Sequence, residues 1–177
     1  MVDAGARPTF GYWKARIGPR GSINRCLLGY AEVDFEDKQY STLEGSTTIW
    51  SEDKPNLGLD FPNLPYLIDG DYKITESRAV SAYICARWAP ALLGADPQEK
   101  GAIAMMHNVV YDWIFSFFGM AMKSSEPPTV EEVYAKAKTG LEPIVAYLGD
   151  KQYLASAGVS LVDFLLWEGL ETILQIT

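Results

Sequence analysis

The sequence predicts a mixed α/β domain over residues 1–90, followed by an all-helical domain over residues 91–177. Three observations carry this reading. Strand-like and helix-like segments alternate as far as Trp88, and a strong hairpin signal, Asp69-Gly70-Asp71, sits inside that stretch. Beyond Pro90 the apolar residues recur at helical spacing only.

Taken in order, Pro8 to Trp13 reads as a short strand, and Arg16-Ile17-Gly18-Pro19-Arg20-Gly21 as a turn-rich loop. Ser22 is expected to cap a helix carrying Ile23, Leu27, Leu28 and Tyr30. Val33-Asp34-Phe35 is expected to begin a second strand, while the polar stretch from Glu36 to Pro55 gives no clear signal. Tyr66-Leu67-Ile68 and Tyr72-Lys73-Ile74 flank the hairpin turn, where glycine tolerates positive φ. Ser77 opens a helix with Val80, Tyr83, Ile84 and Arg87 at helical spacing.

In the second half, Asp96-Pro97-Gln98-Glu99 combines a capping residue, proline in the first turn and an early acid. Ile103, Met106, Val110, Trp113 and Phe117 then mark one apolar face. Ser124 to Thr129 is a linker with two prolines, after which Val130, Val133, Ala137, Leu141, Ile144, Val145 and Leu148 outline another helix. Ser160-Leu161-Val162-Asp163 resembles a capping box with aspartate in place of glutamate.

Composition narrows the function. Hydrophobic content of 48% and charged content of 21% are ordinary for a globular protein. Fifteen basic residues against 23 acidic ones give a net charge of −8, which argues against nucleic acid or an anionic membrane as the main ligand. The N-terminus lacks a secretory pattern, and no apolar run approaches the ~20 residues of a membrane span. Cys26 and Cys85 stand far apart with no CxxC pair, so neither a disulfide scaffold nor a dithiol oxidoreductase is indicated, and the cytosol is the expected compartment. With His107 as the one histidine, no metal site is expected.

The run Trp50-Ser51-Glu52-Asp53-Lys54-Pro55-Asn56-Leu57-Gly58-Leu59-Asp60-Phe61-Pro62-Asn63-Leu64-Pro65-Tyr66-Leu67-Ile68-Asp69-Gly70 closely resembles mu-class glutathione transferases. Gly11-Tyr12-Trp13 is similar to that class's first strand, and Lys73-Ile74-Thr75-Glu76-Ser77 to its last strand and helix start. Ser160-Leu161-Val162-Asp163-Phe164 is similar to the capping segment of the family's helical domain. The resemblance is strong over residues 9–88 and looser beyond. It implies a thioredoxin-like glutathione-binding domain joined to a helical domain, with reduced glutathione as co-substrate and a small hydrophobic electrophile as its partner.

Glutathione's thiol is weakly ionised at neutral pH, and a hydroxyl donating to the sulfur favours the thiolate. By resemblance Tyr12 has that role. Ser77, at a helix start, suits the γ-glutamyl carboxylate, since unpaired N–H groups gather there. Glu76 stands where mu enzymes carry glutamine and is expected to pair with the γ-glutamyl ammonium. Trp13, Trp50 and Lys54 are expected around the glycyl end, with Lys54 as countercharge. Leu64-Pro65 resembles the family's cis-proline turn, which presents the backbone of Leu64 to the cysteinyl amide, with Asn63 nearby. Asp112 aligns with an acid that reaches the partner subunit's glutathione, implying a homodimer. Met122 falls where mu enzymes place a second tyrosine, and the first loop is two residues longer than usual, so an altered electrophile pocket is expected.

Mu-type enzymes continue beyond the point matching Thr177. Here Phe164, Leu165, Trp167, Leu170, Ile173, Leu174 and Ile176 run round most of a helix, and each is worth roughly 1.5–3 kcal/mol when buried. The helical domain is therefore expected to be incomplete by itself, its apolar surface covered by further residues or by another protein. The latter keeps a second reading open, a non-catalytic subunit with a structural or adaptor role in a larger assembly.

Overall fold

The computed structural model describes residues 7–14, 20–41, 49–123 and 126–176. Most of the predicted loop at 16–21, with its extra length, and the side chain of Met122 lie outside the described residues. The elements are β1 (Thr9–Trp13), α1 (Ser22–Tyr30), β2 (Glu36–Tyr40), α2 (Trp50–Asp53), β3 (Tyr66–Asp69), β4 (Tyr72–Thr75) and α3 (Ser77–Trp88). They are followed by α4 (Pro97–Lys123), α5 (Val130–Leu148) and α6 (Leu161–Ile176). The chain divides into two compact units, Met1–Trp88 and Ala89–Thr177.

The first unit is built on a four-stranded sheet in the order β2-β1-β3-β4. β1 pairs parallel with β2 and antiparallel with β3, and β3 and β4 form the predicted hairpin around Gly70 at φ 59°. Period-two alternation sorts the side chains onto two faces. Phe10, Tyr12 and Asp37 share one face with α1, whose Arg25 meets Asp37 through Nε at 3.0 Å and lies over the Phe10 ring. Gly11, Lys38, Tyr40 and Tyr66 share the other, where Trp50 of α2 stacks on Tyr66.

Two local expectations are corrected. Ser22 is the first residue of α1 rather than its cap; Gly21 holds the cap position and offers no side chain, and the Asn24 amide donates to the Arg20 carbonyl at 2.9 Å. The β2 ladder starts at Glu36 opposite Thr9, not at Val33, because Glu32 turns the chain at φ 53° and Val33 N–H still bonds back to the Leu28 carbonyl.

In the second unit the caps follow the sequence signals. Asp96 Oδ1 accepts from the N–H groups of Gln98 and Glu99, both at 2.9 Å, and Thr129 and Glu132 form a reciprocal capping box on α5. Asp163 holds three donors, the Leu154 and Ser160 N–H groups at 2.8 Å each and the Ser160 hydroxyl at 2.7 Å. The serine hydroxyl here donates a hydrogen bond to the carboxylate, and the Asp163 N–H bonds the Ser160 carbonyl instead at 3.1 Å. Asp163→Ala removes the acceptor of all three part-buried donors, so it is expected to cost about 2–4 kcal/mol, read as a lowered midpoint in urea unfolding.

Trp113 of α4 is 4% exposed, and its indole N–H donates to the Ala137 carbonyl of α5 at 2.7 Å. It fits because Gly140 on α5 and Gly169 on α6 carry no side chain. A Cβ on either would stand 2.6 Å or 2.5 Å from its ring atoms. On α6, Leu165 and Ile173 are buried, while Trp167, Leu170 and Leu174 are exposed. An apolar groove lined by Tyr134, Leu141, Leu170 and Leu174 runs between α5 and α6. No helix among the described residues is long and apolar enough to cross a membrane.

Candidate active site

The registers bring several segments to one end of the sheet. Gly11 of β1 pairs with Tyr66 at the start of β3, and Tyr66 with Thr75 at the end of β4. The C-terminal end of β1, with Tyr12 and Trp13, therefore lies beside the Leu64–Pro65 turn and at the same end of the sheet as Glu76–Ser77, one strand further on. β2 ends at the same edge, since Trp13 pairs with Tyr40, and Tyr40 meets Trp50 and Asp53 of α2 there.

Tyr12 is 9% exposed. Its ring lies against the backbone of Gly21, where a Cβ would stand 2.0 Å from the ring. That close approach is the reason for glycine at this position, whose φ of −110° demands none. Leu64–Pro65 is a cis peptide. Asn63 serves both of its neighbours, accepting from the Leu64 N–H at 2.9 Å and donating from Nδ2 to Glu76 Oε1 at 3.0 Å.

Glu76 has φ 71°, a left-handed conformation that is uncommon outside glycine and carries a cost of roughly 1–2 kcal/mol. Such a residue persists only where its surroundings hold it. A backbone hydrogen bond from the Val80 N–H to the Glu76 carbonyl at 2.9 Å ties the left-handed Glu76 into the start of α3, where helix N–H groups point outward. Ser77 itself is buried. An anion held at this helix start meets the first N–H groups of α3 and the positive end of the helix dipole.

Trp50 opens α2, stacked on Tyr66 and edge-on to Tyr40. Lys54 begins the 3-10 turn that follows; it is exposed and makes no ion pair among the described residues. Asp112 belongs to the other unit, exposed on α4. Tyr12, Trp13, Trp50, Lys54, Asn63, Leu64, Pro65, Glu76 and Ser77 thus share one unit, and Asp112 does not.

Sequence reasoning missed what stands behind this edge. Tyr40 and Tyr66 are fully buried with their hydroxyl oxygens 2.8 Å apart, and Tyr40 donates to Asp53 Oδ2 at 3.0 Å. Lys38 Nζ meets the same carboxylate oxygen at 2.6 Å. Burial and the neighbouring hydroxyl push the Tyr40 phenol well above its ordinary range, while the Lys38 contact holds the Asp53 carboxyl below its own. The spacing of Lys38 and Tyr40, two apart on a strand, was the available signal.

Cys85 is fully buried, which pushes its thiol up to about 12, and Cys26 sits half-buried on α1. Among the described residues no group of three or more His, Cys, Asp or Glu side chains is arranged to hold a metal.

The family model for the glutathione S-transferase N-terminal domain matches residues 8–86. A class-mu 26 kDa glutathione S-transferase isozyme of Schistosoma mansoni is 35% identical over 169 residues, covering 94% of this chain and 74% of the relative. The chain belongs to the glutathione S-transferase family. A further relative, a glutathione S-transferase of the mite Tyrophagus putrescentiae, is 32% identical over 93% of this chain and 74% of its own length.

Solved glutathione S-transferases share the fold. The monomeric Na-GST-3 of the hookworm Necator americanus gives a TM-score of 0.76 at 20% identity, over 96% of this chain and 82% of that one. The glutathione S-transferase Blo t 8 gives 0.71 at 27% identity, over 92% and 75%. The family fold, with its thioredoxin-like sheet followed by a helical region, is thus the one expected from the sequence.

Proposed function

We propose that this glutathione S-transferase conjugates reduced glutathione to small hydrophobic electrophiles, with Tyr12 stabilising the thiolate. The observation that carries the reading is the convergence of β1, the cis Leu64–Pro65 turn, Glu76–Ser77 and α2 at one end of the sheet. An extended tripeptide along that edge meets each chemical group it needs. Ser77 and the N–H groups of α3 take the γ-glutamyl carboxylate, and Glu76 its ammonium. Leu64 pairs through its backbone with the cysteinyl amide. Asn63, which bonds both Leu64 and Glu76, keeps the two in register. Trp13, Trp50 and Lys54 receive the glycyl end.

In the reaction the thiol loses its proton to solvent and the Tyr12 hydroxyl donates to the resulting sulfur anion. The sulfur then forms a bond to the electrophilic carbon. With an aryl halide, the carbon–halogen bond breaks and halide leaves. Asp112, exposed on α4, is assigned to a second copy's glutathione in a homodimer, and the cytosol supplies the co-substrate. Family membership favours this reading over that of a non-catalytic subunit.

The test is calorimetric titration with glutathione followed by conjugation of an aromatic halide on the same preparation. Micromolar-to-millimolar binding with turnover is expected; a folded chain that neither binds nor conjugates would overturn the reading. Lys54→Ala is expected to raise the KM for glutathione about tenfold, the size of one lost charge-assisted contact, with kcat little changed.

A further inference from the structure

Resting on that reading of the site, we propose that the buried Tyr66–Tyr40 pair, joined to the half-buried Asp53–Lys38 ion pair, is the positioning device that holds α2 for capture of the glycyl end. The segment needs one. A four-residue helix is far below the length that is stable alone, and α2 has no side-chain cap. What fixes it comes from the sheet beneath.

Polarity orders the chain of groups. Ionised Asp53 only accepts, so Tyr40 donates to it, and the Tyr40 oxygen is left to accept from Tyr66. Both hydroxyls are then satisfied in positions where an unpaired one is expensive. The rings make the second attachment, since Trp50 stacks on Tyr66 at 6.2 Å between centroids and meets Tyr40 edge-on at 5.3 Å. Gly11 makes room, because a Cβ there would stand 2.1 Å from the Tyr66 ring.

Lys38 does a separate job. Asp53 precedes Lys54, so an unpaired Asp53 would offset the cation meant for the glycyl carboxylate. With Lys38 bound to Asp53 at 2.6 Å, the neighbouring charge is neutralised and Lys54 is left for the ligand. Lys38, Tyr40, Asp53 and Tyr66 therefore act through Trp50 and Lys54 and need not touch glutathione.

The experiment compares glutathione with γ-glutamylcysteine, which lacks the glycyl residue, as thiol substrates for the full chain. Tyr40→Phe and Asp53→Ala are each expected to raise the KM for glutathione about tenfold. Neither should change the KM for the dipeptide or kcat at saturation. Asp53→Asn keeps an acceptor for Tyr40 and is expected to fall between Asp53→Ala and the unaltered chain. Asp53 is half-buried at the edge of the core, so its variants disturb the packing less than Tyr40→Phe should that variant fold poorly.

Without ligand, hydrogen exchange of the Glu52 and Asp53 amides, which bond the Ile49 carbonyl, should quicken in Asp53→Ala. Equal KM increases for both thiols, or no increase for glutathione, would overturn the proposal while leaving the site reading intact. An unaltered chain that uses neither thiol would overturn both.

Discussion

Tyr12→Phe is expected to lower conjugation at neutral pH by about a hundredfold, the usual scale for removing one donor aimed at a developing anion. Glutathione affinity should stay within about threefold, because the hydroxyl meets the sulfur and not the peptide frame. The pH profile distinguishes this from simple damage. A donor to the thiolate lowers the thiol's pKa, so removing it must raise it. The rising limb of kcat/KM against pH should move alkaline, toward the ordinary thiol value of about 8.5–9, and activity should partly recover there. Loss of activity with an unshifted limb would count against Tyr12 as the donor.

Gly21→Ala is the second large effect expected, at a residue that has no chemistry of its own. The added methyl would stand 2.0 Å from Cδ1 and 2.6 Å from Cγ of Tyr12, too near the root of the ring for a small rotation to relieve. Either the ring or the start of α1 must move. Overpacking of this kind costs about 1–3 kcal/mol, and a displaced hydroxyl should reduce turnover at least tenfold. Activity and a urea melt on the same variant decide it. Unaltered turnover would mean that Tyr12 keeps its position and that the glycine serves α1 alone.

The elements that were legible in the sequence are those with a short-range cause. Asp69-Gly70-Asp71 announced a hairpin because a turn needs a residue tolerating positive φ, and the Asp96 and Ser160 starts announced helices because their caps lie within three residues. The site edge was legible through the family's motif, from Trp50 to Gly70, rather than through any local physics. The remainder depended on contacts distant in the chain. Nothing near Ser22 reveals that the cap position falls to Gly21, because its constraint is the Tyr12 ring on another element. The stretch from Glu36 to Pro55 was opaque for the same reason. β2 is polar along its length and becomes a strand by pairing with β1, and α2 forms on the aromatic pair beneath it.

Trp113 has a consequence for how this sequence can change over time. Its indole fills volume that Gly140 and Gly169 forgo on two other helices, so the three positions divide one fixed space among them. An alanine at Gly140 is tolerated only once the indole has given way to a smaller ring, one at Gly169 needs Ile114 to yield as well, and the smaller ring alone leaves a void. Each route between neighbouring sequences therefore crosses a less stable intermediate. The trio should drift as one character, resisting single replacements while admitting the right double ones.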